Sequence, residues 1–342
     1  MIANGIKRLV DGHDLDRASM HEIFGEVMDG QTTDTQKSAL LVALRMKGET
    51  PEEITGAALA MRERVTPLDV DREGLIDTCG TGGDGQGTFN ISTLAALVAA
   101  GAGAQVAKHG NRAVSSACGS ADVLSELGVD ISLDAPRMSE VLRRTGIAFL
   151  FAPKLHPAMG AVASIRRDLG VRTIFNLLGP LTNPAFTPRQ VLGVYREDLV
   201  EVLAAVLLAL GAEHAVVVHS KDGLDEISVS APTHVCEVRD GELRSYDLEP
   251  EDLGVGRHPL DAVRGGDAKE NARIARAVLG GQSNGARRDI VAANAGAALY
   301  VSGAATSMRE GVAMSMESII SGRALGKLGQ LVSVSNELGG VA

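Results

Sequence analysis

Glycines 80, 82 and 85 in "DTCGTGGDGQGTFNIST" (Asp77–Thr93) satisfy G-x-G-x-x-G, the spacing that lets backbone turn tightly against a phosphate. A dinucleotide site also needs an acidic residue roughly 20 positions further on, to hold the ribose. None lies between Asp84 and Asp122, where the only charges are Lys108 and Arg112. The lysine of the Walker pattern G-K-[ST] is missing too. Both common nucleotide readings therefore fail on a named residue, and an anion site remains. Asn90, Ser92 and Thr93 open an expected helix, where free N–H groups and the positive dipole end favour phosphate. A second loop, "KHGNRAVSS", adds Lys108, Arg112, Ser115 and Ser116, with Ser120 just beyond. Alone, the first loop is equally a glycine-rich turn with ordinary caps. The two loops together point to a ligand with more than one phosphate group.

Acidic residues supply the complementary chemistry. "KDGLDEIS" follows the apolar run "AVVVH" and offers Asp222, Asp225 and Glu226 just past a strand end. Hard oxygen ligands of this kind suit Mg²⁺, which binds through one or two carboxylates plus substrate phosphates. By itself the loop reads first as a solvated acidic turn; beside a phosphate site the metal reading overtakes it. Asp84 would repel phosphate unless it meets a hydroxyl, an amine or a metal-bound water, or simply faces solvent. The eight histidines form no H-x-x-x-H or Cys/His cluster, which speaks against zinc. No G-x-S-x-G is present, and Cys79 reads as buried rather than nucleophilic.

The elements along the chain must position these groups. The first seventy or so residues read as helices, with Asp34 as an N-cap and Thr50 capping a helix that begins at Pro51. Their spare apolar face packs on the rest of the chain or on a second subunit. Strands then alternate with helices: "GLIDTCG", "QVAKHG", "VDISL", "IAFLFAP", "VLGVY" and "HAVVVHS" read as strands. This implies βαβ units whose ligands sit outside the carboxyl ends of the strands. "HPAMGAVASIRRDLGVRTIFNLLGPLTNPA" reads as two short helices that return the chain to the helical part. "HVCEVRDGELRSYDL" is a hairpin turned at Asp240-Gly241, and the remainder is helical. The expected fold is α/β. A small all-helical domain, residues 1–72 with a returning segment about 158–188, joins a larger domain, 73–157 and 189–342, with a mainly parallel central sheet.

Composition narrows the partners. The 342 residues carry a net charge of -10 and no Trp, which argues against nucleic acid or an anionic membrane surface. Three cysteines without CxxC spacing suggest a reduced, cytoplasmic protein. Apolar runs such as "VLAAVLLALGA" are too short to span a bilayer.

Together, "DTCGTGGDGQGTFNIST", "KHGNRAVSS…GSADVL", "IRRDLGVRTIFNLLGPLTNPA" and "DGLDEIS" resemble the anthranilate phosphoribosyltransferases of tryptophan biosynthesis, over nearly the whole chain. The resemblance implies anthranilate and 5-phosphoribosyl 1-diphosphate as substrates, two Mg²⁺ ions, and a homodimer through the helical domains. It places the phosphoribosyl diphosphate site at Gly80, Gly83, Asp84, Thr88, Asn90, Ile91, Ser92, Thr93, Lys108, His109, Gly110, Asn111, Arg112, Ala113, Val114, Ser115, Ser116 and Ser120. Ser92, Asp225 and Glu226 match the metal ligands; Gly80, Asn111 and Arg166 match the anthranilate contacts. Lys108, Asn111 and Arg166 are the expected catalytic residues, for diphosphate, ring and carboxylate respectively. One departure is Ala117 and Cys118, where relatives often carry Lys. Bond breaking at the anomeric carbon should lead, through an oxocarbenium-like transition state, because an aryl amine is a weak nucleophile. Asp84 and His109 remain candidates for a general base. The rival readings are a pyrimidine nucleoside phosphorylase and a non-catalytic nucleic-acid-binding relative.

Overall fold

The computed structural model describes residues 1–113 and 117–340. Four helices lead: α1 (Ile2–Val10), α2 (Arg17–Met28), α3 (Asp34–Lys47) and α4 (Pro51–Arg62). Asp16 caps α2 through the Ser19 N–H, and Thr50 forms a capping box with Glu53 ahead of Pro51. The cap of α3 is Thr33 rather than Asp34. Thr33 has the extended backbone a cap requires and completes a box with Gln36, so Asp34 becomes the first helical residue.

Alternation follows: β1 (Leu75–Gly80), α5 (Ile91–Gly101), β2 (Gln105–Gly110), α6 (Ser120–Glu126), α7 (Ala135–Thr145) and β3 (Ile147–Phe151). Short helices α8 (Ala152–Leu155), α9 (Ala163–Leu169) and α10 (Phe175–Leu178) precede β4 (Arg189–Gly193), α11 (Val200–Ala209) and β5 (His214–Ser220). The hairpin β6 (Thr233–Arg239) and β7 (Glu242–Leu248) turns at Asp240 and Gly241, both with positive φ, as a two-residue type I′ turn requires. Four helices close the described chain: α12 (Ala268–Leu279), α13 (Ala286–Ser302), α14 (Met308–Ile320) and α15 (Arg323–Gly339). No helix of the described residues is long and apolar enough to cross a membrane.

The sheet runs β3-β2-β1-β4-β5-β6-β7, with the first five strands paired in parallel and β6 and β7 joined through antiparallel pairings. Strand order reverses between β1 and β4. That switch point opens a crevice at their carboxyl ends. "VDISL" is not a strand. Val129, Ile131 and Leu133 are buried, but the Asp130 N–H is taken by Ser335 Oγ of α15, at 3.1 Å, instead of a strand. An alternating pattern needs a buried face, and here a helix supplies it.

Two apolar cores flank the sheet. Val216 and Val218 of β5 face one, with α5, α13 and α14; Ala215 and Val217 face the other. The second core runs from β4 and β5 through α11 into α2–α4, and includes Ile165, Phe175, Leu178 and Leu181.

Candidate active site

Three loops meet at the switch point. Gly80 ends β1 beside Gly193 of β4. A Cβ at Gly193 would fall 1.6 Å from the Asp225 carbonyl oxygen, and one at Gly80 2.8 Å from Asp225 Oδ2. Both glycines are there because the acidic loop lies directly on the strand ends. The glycine loop then bonds to that acidic loop: Gly82 N–H donates to Asp225 Oδ2 at 2.9 Å, and Gln86 Nε2 to the Asp222 carbonyl at 3.2 Å. At the start of α5, Ser92 N–H donates to Glu226 Oε1 at 3.1 Å.

The acidic loop splits its three carboxylates. Asp222 turns back on its own loop and accepts from the Ser228 and Ser230 hydroxyls, so it is structural. Asp225 and Glu226 face the crevice. Enclosure holds both well above the usual carboxylate range, helped by Asp84 beside Asp225 and by Asp225 beside Glu226. Asp84 accepts from the Gln86 N–H through one oxygen, while Oδ2 is enclosed with no hydrogen-bond partner among the described residues. Among those residues no three acidic or imidazole groups converge on one point. The enclosed carboxylates of Asp225 and Glu226, with the unpartnered Asp84 Oδ2, are oxygen donors of the kind a hard divalent cation such as Mg²⁺ takes, and such an ion would relieve the repulsion between them.

Lys108, buried on β2, donates to the Thr78 carbonyl and stands 3.4 Å from Ser92 Oγ. Its charge partly offsets the upward push on Glu226. His109 continues the strand. Its Nδ1 lies 3.2 Å from the Gly179 carbonyl and its Nε2 3.0 Å from His156 Nε2. Burial pushes the two rings down to about 3 and about 4, so both are neutral at pH 7.

In the second loop Arg112 pairs with Asp122 at 2.8 Å, and Ala113 N–H donates to the same carboxylate at 3.0 Å. Ser120 Oγ donates to the Asn111 carbonyl at 3.2 Å, and the Asn111 side chain accepts from Arg112 N–H. Gly110 has no room for a Cβ between Ser120 and Phe149. Val114, Ser115 and Ser116 lie outside the described residues. In α5 the Ile91 side chain is buried, and Thr93 Oγ1 is enclosed without a partner among the described residues, so both offer backbone rather than side chain to the crevice. Thr88 forms an isolated bridge with Arg264.

Arg166 stands on α9, its guanidinium 5.3 Å from the Phe175 ring centre. Burial lowers its pKa. No bond joins it to the phosphate-donor loops among the described residues. Its neighbour Arg172 does reach the glycine loop: it donates to the Gly83 carbonyl and lies 4.0 Å over the Tyr195 ring. Sequence reasoning passed over several such supports. Asn183 Nδ2 bonds buried Asp77 at 2.8 Å, Asp77 accepts the His109 N–H, and Asn294 of α13 holds both polar groups of Ile227 at 2.9 Å. Asn294 shows locally only as an Asn within an apolar run, and Asn183 only as part of the GPLTNPA motif.

Comparison with known proteins agrees with this architecture. Residues 4–65 match the glycosyl transferase family helical bundle domain, and residues 72–325 match its a/b domain. An anthranilate phosphoribosyltransferase of Anaeromyxobacter sp. (strain Fw109-5) is 57% identical over 335 residues, 98% of this chain and 99% of that one. The anthranilate phosphoribosyltransferase of Clostridium kluyveri is 49% identical over 336 residues, 98% of this chain and all of that one. Among solved structures, the anthranilate phosphoribosyltransferase of Thermus thermophilus superposes with a TM-score of 0.92 at 45% identity, covering 97% of this chain and 99% of that one. That of Saccharomyces cerevisiae, in complex with PRPP and Mg, gives 0.90 at 30% identity and covers 98% of each. With two domain matches, a full-length likeness and the loops of its sequence gathered at one switch point, this chain belongs to the anthranilate phosphoribosyltransferase family.

Proposed function

We propose that the chain transfers the phosphoribosyl group of 5-phosphoribosyl 1-diphosphate to the amine of anthranilate, releasing diphosphate. One observation carries the reading: the glycine loop, the start of α5 and the Asp225-Glu226 loop bond to one another at the switch point. Backbone N–H groups of these turns other than those of Gly82 and Ser92, which Asp225 and Glu226 hold, would take phosphate oxygens. Ser92, Asp225 and Glu226 would hold Mg²⁺, which, as one or two ions, would supply the charge neutralisation the diphosphate leaving group needs. Lys108 turns from the Thr78 carbonyl to the leaving group. Half-buried Arg166, set against the Phe175 ring, suits the anthranilate carboxylate by a charge-assisted pair, and Asn111 orients the ring.

Residues 1–72 and 158–188 act as one helical unit against 73–157 and 189–342. Closure between them brings Arg166 to the donor loops and excludes water that would hydrolyse the activated sugar. Val42 and Met46, exposed one turn apart on α3, and Val10 on α1 mark the face for a second copy.

Anthranilate fluorescence tests the reaction. It should fall only when protein, phosphoribosyl diphosphate and Mg²⁺ are all present, and Asp225→Asn with Glu226→Gln should abolish the change. No loss at any protein concentration would reject the reading and direct attention to nucleoside phosphorolysis.

A further inference from the structure

Asn90 opens α5, yet its side chain does not cap that helix. Its Nδ2 donates instead to the Cys118 carbonyl, at 3.1 Å, in the second donor loop. What turns it there is Asn271 of α12, 2% exposed and 181 positions away: Nδ2 of Asn271 donates to Asn90 Oδ1 at 3.0 Å. The Asn271 Oδ1 accepts the Gly266 N–H at 2.8 Å, so both ends of the amide are used. The segment before α12 grips the first loop directly. Gly265 N–H donates to the Gly87 carbonyl at 3.0 Å, and Phe89 N–H faces the Val263 carbonyl at 3.4 Å. The fit is close enough that a Cβ at Gly265 would lie 2.6 Å from Phe89 Cα.

We propose that Asn271, with the 263–266 segment, is a positioning residue that sets the two phosphate-donor loops at a fixed spacing. It turns the Asn90 amide away from the N–H groups of α5, so that the cap residue does not compete with Glu226, which holds the Ser92 N–H, or with an incoming phosphate. It also ties the start to the second loop through Cys118. Asn271 touches no substrate and acts only through Asn90 and Gly266. The inference rests on the phosphoribosyl diphosphate reading above and names the element that makes its two loops one site.

The discriminating variant is Asn271→Asp. A carboxylate still accepts from Gly266 but donates nothing to Asn90. The Asn90 amide must then flip its NH₂ group towards residue 271 and give up the Cys118 carbonyl. Gly265→Ala strains the same bracket from the other side, by pushing on Phe89. In fluorescence assays both variants should raise the KM for phosphoribosyl diphosphate about tenfold, the effect of one misplaced hydrogen bond to a charged ligand. The KM for anthranilate should stay within about twofold, and the melting temperature of Asn271→Asp within a few degrees. Asn271→Leu, which breaks both bonds, should do worse on the same parameter. An unchanged KM for phosphoribosyl diphosphate in both variants would overturn the proposal, as would a parallel fall of kcat and melting temperature with both KM values intact. If the wild-type protein itself shows no turnover, the functional reading has failed instead.

Discussion

At the residue scale, burial decides what each ionisable group does. Asp222 and Asp225 are three positions apart in one loop; hydroxyl donors hold the first below the usual carboxylate range, and enclosure with other acids lifts the second above it. The contact between His109 and His156 gives a pH prediction. In the unfolded chain each imidazole titrates near pH 6.5; in the fold they are depressed to about 3 and about 4. Between these limits the unfolded chain binds more protons. Stability is therefore intact above about pH 6.5 and falls as pH drops through that window, on the order of 1 kcal/mol per pH unit per histidine. Thermal unfolding from pH 7 to pH 5 should show a shallower decline in His156→Gln than in the wild type. Equal slopes would place the proton uptake elsewhere.

Elements far apart in the chain hold the loops in place. Asn294 sits in the middle of α13 and bonds the Ile227 N–H and carbonyl, which fixes the acidic loop to the helix behind the sheet. Asn294→Leu would leave two buried backbone groups without partners, at a cost of about 1–3 kcal/mol each. Urea unfolding should show a loss of several kcal/mol, and the Mg²⁺ concentration for half-maximal activity should rise because Asp225 and Glu226 lose their anchor. A normal metal requirement would show that the loop holds itself. Gly193→Ala acts from the strand side. With a Cβ 1.6 Å from the Asp225 carbonyl oxygen, the loop must move by more than an ångström. Activity should drop at least about 100-fold, since displacements of this size misalign a charge-stabilising site. Near-normal activity in a folded variant would disprove the close-approach argument.

For the whole molecule, the second core matters most. It joins the helical layer, the segment bearing Arg166 and one face of β4 and β5, so the closure proposed above would shear that core. Val10 and Met46 on its outer helices are exposed and belong to the face proposed above for a second copy. Met46→Lys with Val10→Lys should convert a dimer to monomers in sedimentation velocity, with the far-ultraviolet circular dichroism unchanged. A wild-type protein that sediments as a monomer at micromolar concentration would refute this assignment of the face.

Neighbouring residues were enough to specify most elements. Glycine spacing, the cap at Thr50, the Asp240-Gly241 turn and the period-2 strands are local properties, each written within a few positions. A full-length likeness in motifs added the expected substrates. Which groups meet is a property of the folded chain alone. The link from Asp77 to Asn183 spans 106 positions and that from Asn90 to Asn271 spans 181. No periodicity encodes such pairs. The same reason explains the misread "VDISL": alternation records a buried face, and only the folded chain shows that α15, rather than a neighbouring strand, provides it.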